Sequence, residues 1–113
     1  MENKVTLTPF FSTRYKRLTK KFVSLRSEMD TLIQKLTKEP TLGTPLGAGL
    51  YKVRLASKSK GGGKSGGFRV ITYLVQERKD GTDIFLITMF DKSEESSIKK
   101  EQLVKLVKLL FES

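Results

Sequence analysis

Eight apolar residues, Phe11, Tyr15, Leu18, Phe22, Leu25, Met29, Leu32 and Leu36, recur at alternating spacings of four and three, and this run constrains the fold more than any other feature of the chain. The rhythm returns each side chain to one face of an α-helix, so the segment carries a continuous apolar stripe. Unbroken, it would form a helix of about seven turns, long for a chain of 113 residues. The segment therefore reads as a helical hairpin, broken near Lys20 to Ser24 and ended by Pro40, that lays both halves of its stripe on a sheet. A coiled-coil seam is the alternative.

The sheet is written on either side of that hairpin. Lys4 to Thr8 alternates polar and apolar residues and predicts a first strand, closed by Pro9. Thr41 to Gly49 interleaves Gly and Pro and reads as a loop. Leu50 to Ala56 and Phe68 to Gln76 are β-rich, joined by the low-complexity basic stretch Ser57 to Gly67, which predicts a hairpin with a long mobile tip. Asp80-Gly81 marks a tight turn into a strand from Ile84 to Phe90, and Ser93 is the expected cap of a last helix carrying Ile98, Leu103, Leu106, Leu109 and Leu110. The predicted class is α+β: one domain over residues 1–113 in the order β-α-α-β-β-β-α, with no internal repeat.

Composition narrows the chemistry. The chain has neither His nor Cys, which excludes disulfides, zinc sites of the usual ligand types and nucleophiles paired with His, so no metal or other cofactor is expected. Any acid–base work falls to Lys, Arg, Tyr, Asp or Glu. With 22 Lys and Arg against 12 Asp and Glu, the formal charge of +10 favours an anionic partner. No apolar run reaches the length of a membrane span, and the first residues lack the apolar core of a signal peptide, so a cytoplasmic protein away from membranes is expected.

The charge is concentrated. Between Glu39 and Glu77 there is no acidic residue, whereas Lys52, Arg54, Lys58, Lys60, Lys64 and Arg69 all lie there. Gly63-Lys64-Ser65 invites a phosphate-loop reading, which fails because Lys58 stands where the motif needs Gly and a strand follows where it needs a helix. The tip is either a solvated loop or the place where a polyanion binds first. Strand alternation puts Tyr51, Val53 and Leu55 on one face and Lys52 and Arg54 on the other. If the first face meets the helices, the two cations project from an open sheet face, and an antiparallel pairing can bring Arg69 beside them, in a register that the sequence does not state. Tyr73 shares the face of Arg69, either packing there or joining the site.

These segments, Pro40 to Gly47, Gly49 to Leu55, Gly63 to Ile71 and Phe90 to Glu94, resemble the RelE/ParE superfamily of toxins from type II toxin–antitoxin systems, most closely its RelE and HigB-like branch. The resemblance implies a small twisted antiparallel sheet on an N-terminal helical hairpin. It also implies ribosome-dependent endonucleolytic cleavage of messenger RNA without a metal, so the implied partners are the ribosome, messenger RNA and a cognate acidic antitoxin, with DNA reached only through the antitoxin. Carried over, Lys52 and Arg54 fall on the basic positions of the second strand of such toxins, Arg69 on the arginine after the Gly-aromatic pair, and Lys92 on a catalytic arginine after the last strand. Relatives add a Tyr or a His near the C-terminus, where this chain offers Ile98 and Phe111. The implied catalytic set is Lys52, Arg54, Arg69 and Lys92, with Lys58, Lys60 and Lys64 gripping RNA. Within it, Arg69 would clamp phosphate, Lys52 would act as base, and Lys92 as acid or charge stabiliser. A ParE-like gyrase poison and a non-catalytic RNA- or antitoxin-binding protein are the alternatives.

Overall fold

A computed structural model describes residues 3–61, 66–78 and 81–112. Its elements are β1 (Lys4–Leu7), α1 (Pro9–Lys21), α2 (Leu25–Lys38), β2 (Thr44–Gly47), β3 (Leu50–Leu55), β4 (Phe68–Arg78), β5 (Gly81–Asp91), a 3-10 turn (Lys92–Ser97) and α3 (Lys100–Phe111). Pro9 opens α1, where its missing N–H costs nothing. The long stripe breaks where expected, at Phe22 to Ser24, and both halves turn onto one sheet face. Phe22 adopts an extended conformation and packs edge-on against Phe68, with ring centroids 5.2 Å apart. The break is also tied from outside, because the Ser24 N–H donates to Ser59 Oγ at 2.8 Å and the Ser59 N–H to Ser24 Oγ at 3.0 Å. At the far end, Glu39 leaves the helical region because it precedes Pro40.

The five strands run in the order β1-β5-β4-β3-β2. Three neighbouring pairs are antiparallel, but β1 joins β5 in parallel, with Val5 opposite Ile84, so the sheet is mixed where an antiparallel one was expected. The helical hairpin carries the chain across the sheet face between β1 and the later strands, which permits that direction. A second difference is β2. Thr44 to Gly47 is not loop but an edge strand, with Thr44 opposite Lys52 and Pro45 opposite Tyr51. An edge strand tolerates Pro45, whose missing donor can face away from the ladder. Ala48 and Gly49, both at positive φ, close the β2–β3 hairpin. At the β4–β5 turn Arg78 pairs with Gly81, and Asp80 lies outside the described residues.

Both sheet faces are covered. Phe11 of α1 and Leu25, Met29 and Leu36 of α2 pack against Val53, Phe68, Val70, Ile84 and Leu86 of the sheet, all buried. On the opposite face Leu50, Ile71, Ile87 and Phe90 pack against Leu103 of α3. The face expected to be open is therefore roofed by the C-terminal segment. That segment also divides differently: Asp91, not Ser93, caps the 3-10 turn, and α3 begins separately after Lys99. Among the described residues no helix is long and apolar enough to cross a membrane.

Candidate functional site

The site is built at the end of the sheet where β3, β4 and β5 meet the 3-10 turn. In the β3–β4 register Arg54 stands opposite Arg69 and Lys52 opposite Ile71. Lys52 and Arg54 thus share a face, as alternation predicted, and the register adds Arg69 to it; α3 packs on that same face. Two backbone approaches fix this end. A Cβ on Gly67 would lie 2.1 Å from the Leu55 carbonyl oxygen, and the Lys92 N–H donates to the Gly67 carbonyl at 3.1 Å, so the start of the turn sits directly on the β3–β4 junction.

The cations differ sharply in access. Arg54 is exposed and makes no ion pair among the described residues, whereas Arg69 is 2% exposed. Sequence reading put Arg69 on an open face; the roof formed by the turn and α3 buries it. Its Nε donates to Glu95 Oε1 at 3.2 Å and its Nη1 to the Phe68 carbonyl at 3.1 Å. Lys52 is half-buried, and its Nζ donates to the other oxygen of the same carboxylate, Glu95 Oε2, at 2.5 Å. One carboxylate therefore bridges two of the four cations assigned from sequence. Its hydrogen bond from Lys52, with the charges of Lys52 and Arg69, outweighs desolvation and holds the Glu95 carboxyl below its ordinary value. Lys52, expected to act as base, is here the hydrogen-bond donor to Glu95.

Lys92 opens the 3-10 turn at the same end of the sheet, is exposed, and makes no side-chain ion pair among the described residues. Of the tip cations, Lys58 is exposed, its backbone N–H donating to Glu28 Oε2 at 2.8 Å. Lys60 is not free to grip a ligand. Its Nζ lies 3.1 Å from Asp91 Oδ2, donates to the Gly66 carbonyl at 3.0 Å, and stands over the Phe68 ring. Lys64 lies outside the described residues. Tyr73 packs, its ring 5.4 Å from that of Phe111.

Sequence reasoning missed the acidic half of the site. Asp91, Glu94 and Glu95 follow one another around the turn and reach Lys60, Arg14 and the Lys52–Arg69 pair, respectively. Partial burial raises the Asp91 carboxyl, but hydrogen bonds from Ser93 and Lys60 prevail and lower it. Asp91 and Glu94 form a capping box, and Arg14 of α1 lies 4.0 Å from Glu94 while donating to the Met89 carbonyl. In sequence these acids look like ordinary first-turn residues complementing a helix dipole. Only a turn wrapped back over β3 and β4 gives them partners 43 and 26 residues away.

A family model described as the RelE toxin of the RelE/RelB toxin–antitoxin system matches residues 10–110. No curated protein matches at a significant level. Among solved structures, the chain is similar to the E. coli toxin RelE, as a double arginine-to-alanine variant in the free state. The TM-score is 0.64 at 16% identity, over 93% of this chain and 97% of that one. At this identity the likeness is one of fold.

Proposed function

Because the chain belongs to the RelE toxin family of toxin–antitoxin systems, we propose that it inhibits translation as a ribosome-dependent messenger RNA endonuclease and is neutralised by a cognate acidic antitoxin. It acts in the cytoplasm, meets the ribosome and messenger RNA directly, and reaches DNA only through the antitoxin. What supports this reading is that Lys52 and Arg54 share one face of β3, and Lys92 begins the turn at the same end of the sheet, in a chain of formal charge +10. A scissile phosphate needs such a set, because charge grows on its oxygens in the transition state and fixed cations stabilise it there. The field also draws the ribosome and the messenger in, with a salt-dependent affinity.

Roles follow from access. Lys52 and Arg54 meet the phosphate, Lys92 serves the leaving oxygen, and Arg69, being buried, acts through Glu95 and not on RNA. Lys58 and Lys64 supply ribosome or messenger phosphate contacts from the tip, and Lys60, held by Asp91, contributes less. The antitoxin brings acidic residues on a segment that folds as it binds and masks these cations. The test is to add the protein to a translating extract and map the 5′ ends of the messenger. Cleavage inside codons supports the nuclease. Intact messenger with inhibited gyrase supercoiling points to a ParE-like poison, and intact messenger with neither effect points to a binding protein.

A further inference from the structure

The nuclease reading leaves the proton of the attacking 2′-hydroxyl without an acceptor, since the chain has no His and Lys52 is a donor in the structure. We infer that Glu95, carried on the 3-10 turn between Lys52 and buried Arg69, is the general base of this site. The inference rests on the reading of the protein as an RNA-cleaving enzyme.

Three observations support it. First, access: the Glu95 side chain is 28% exposed while Arg69 beneath it is 2% exposed, so a ligand entering over β3 and β4 meets the carboxylate and not the guanidinium. Second, capacity: among the described residues each oxygen accepts one hydrogen bond, from Lys52 Nζ at 2.5 Å and Arg69 Nε at 3.2 Å, and a carboxylate oxygen has two acceptor directions, so a 2′-hydroxyl can still donate to it. Third, orientation: the Arg69 contact fixes the carboxylate from below, and the Asp91–Glu94 capping box fixes the turn that bears it. The carboxylate is ionised at neutral pH, and because the Lys52 and Arg69 pairs lower its pKa and make it a weaker base than a free glutamate, what it contributes is position and not basicity.

The chemistry balances without a further reactant. The 2′-hydroxyl gives its proton to Glu95 as the 2′-oxygen bonds to phosphorus, and the bond from phosphorus to the 5′-oxygen breaks. Lys92 donates a proton to that oxygen. In a 3-10 helix side chains three apart eclipse one another, which puts Lys92 and Glu95 on one side of the turn. Lys52 and Arg54 neutralise the charge on the non-bridging oxygens. The products are a 2′,3′-cyclic phosphate and a 5′-hydroxyl, and exchange with solvent restores both side chains. Arg69 is a positioning residue in this scheme.

The decisive comparison uses programmed ribosomes with a defined messenger, normal or carrying a bridging sulfur in place of the 5′-oxygen at the scissile phosphate. Thiolate leaves without an acid, so the sulfur relieves the loss of an acid but not the loss of a base. Glu95→Gln is expected to slow cleavage by about 100- to 1000-fold, with ribosome binding unchanged and the defect persisting on the sulfur-bearing messenger. Lys92→Met should be slow on the normal messenger and largely rescued by sulfur. Glu95→Asp, which draws the carboxylate back by one methylene, should be intermediate, and Glu101→Gln, an exposed acid in the first turn of α3 outside the site, should cleave like the wild type. A Glu95→Gln protein that cleaves at or above the wild-type rate would overturn the inference while leaving the nuclease reading intact, because the carboxylate would then only plug the cations. Rescue of Glu95→Gln by sulfur would reassign Glu95 as an acid and equally overturn it. A wild-type protein that cleaves neither messenger removes the nuclease reading and this inference together.

Discussion

Replacing Arg69 by Ala tests whether the buried guanidinium is part of the fold as well as of the site. A surface cation lost from a sheet changes stability by about 0.5 kcal/mol or less, and that is the expectation for exposed Arg54. Arg69 is different because it is 2% exposed and shares the Glu95 carboxylate with Lys52. Removing one partner of a fully buried ion pair costs about 3–5 kcal/mol. Here Glu95 keeps Lys52 and some solvent, which lowers the figure, so a loss of about 2–3 kcal/mol is expected. At this chain length each kcal/mol moves the melting temperature by about 4 °C, which gives a fall of about 8–12 °C. The assay is thermal unfolding of wild type, Arg54→Ala and Arg69→Ala followed by circular dichroism. The deficit should also depend on pH. Glu95 titrates below its ordinary 4.5 in the folded chain, so the stabilisation from its pairs is fully present above that value and is lost as pH falls through the folded value. The gap between wild type and Arg69→Ala should therefore narrow in acid. An Arg69→Ala protein that melts within about 2 °C of wild type at neutral pH would refute the assignment of Arg69 as a buried support.

Lys52→Met removes the hydrogen bond that most lowers the Glu95 carboxyl, so a carbon-detected NMR titration should find its midpoint moved up towards the ordinary carboxylate value. Gly67→Ala would drive a Cβ into the Leu55 carbonyl and is expected to cost about 2–4 kcal/mol in urea unfolding. Gly61→Ala, at φ +79 with nothing within 4 Å, should cost only about 1–2 kcal/mol. Neutralising Lys58, Lys60 and Lys64 together should flatten the salt dependence of ribosome binding, but Lys60 is already paired with Asp91. The log–log slope should therefore fall by about 1.5 units, as for two phosphate contacts, and an unchanged slope would mean that the tip is only a connector.

Much of the architecture is local and therefore legible in the chain. The four-three stripe, the break before Leu25, Pro40 and the alternation of Leu50 to Leu55 each act over a few residues, and each determined its element and the face it buries. That Lys52 and Arg54 share a face also followed, from the side-chain period of two, whereas Arg69 joins them only through the β3–β4 register, which a one-residue slip would reverse and which the sequence does not state. What Thr44 to Gly47 does was not legible. Its Pro and Gly content is that of a loop, and only the waiting edge of β3 makes it a strand. The site divides along the same line. Its basic half lies in contiguous strands, whereas Glu95 joins it through contacts spanning 26 and 43 residues, made when the turn after β5 folds back over β4 and β3. Burial of Arg69 is likewise a property of that roof. A sequence states which residues carry charge, but which charges meet, and which lose water, depends on segments far apart in the chain packing against one another.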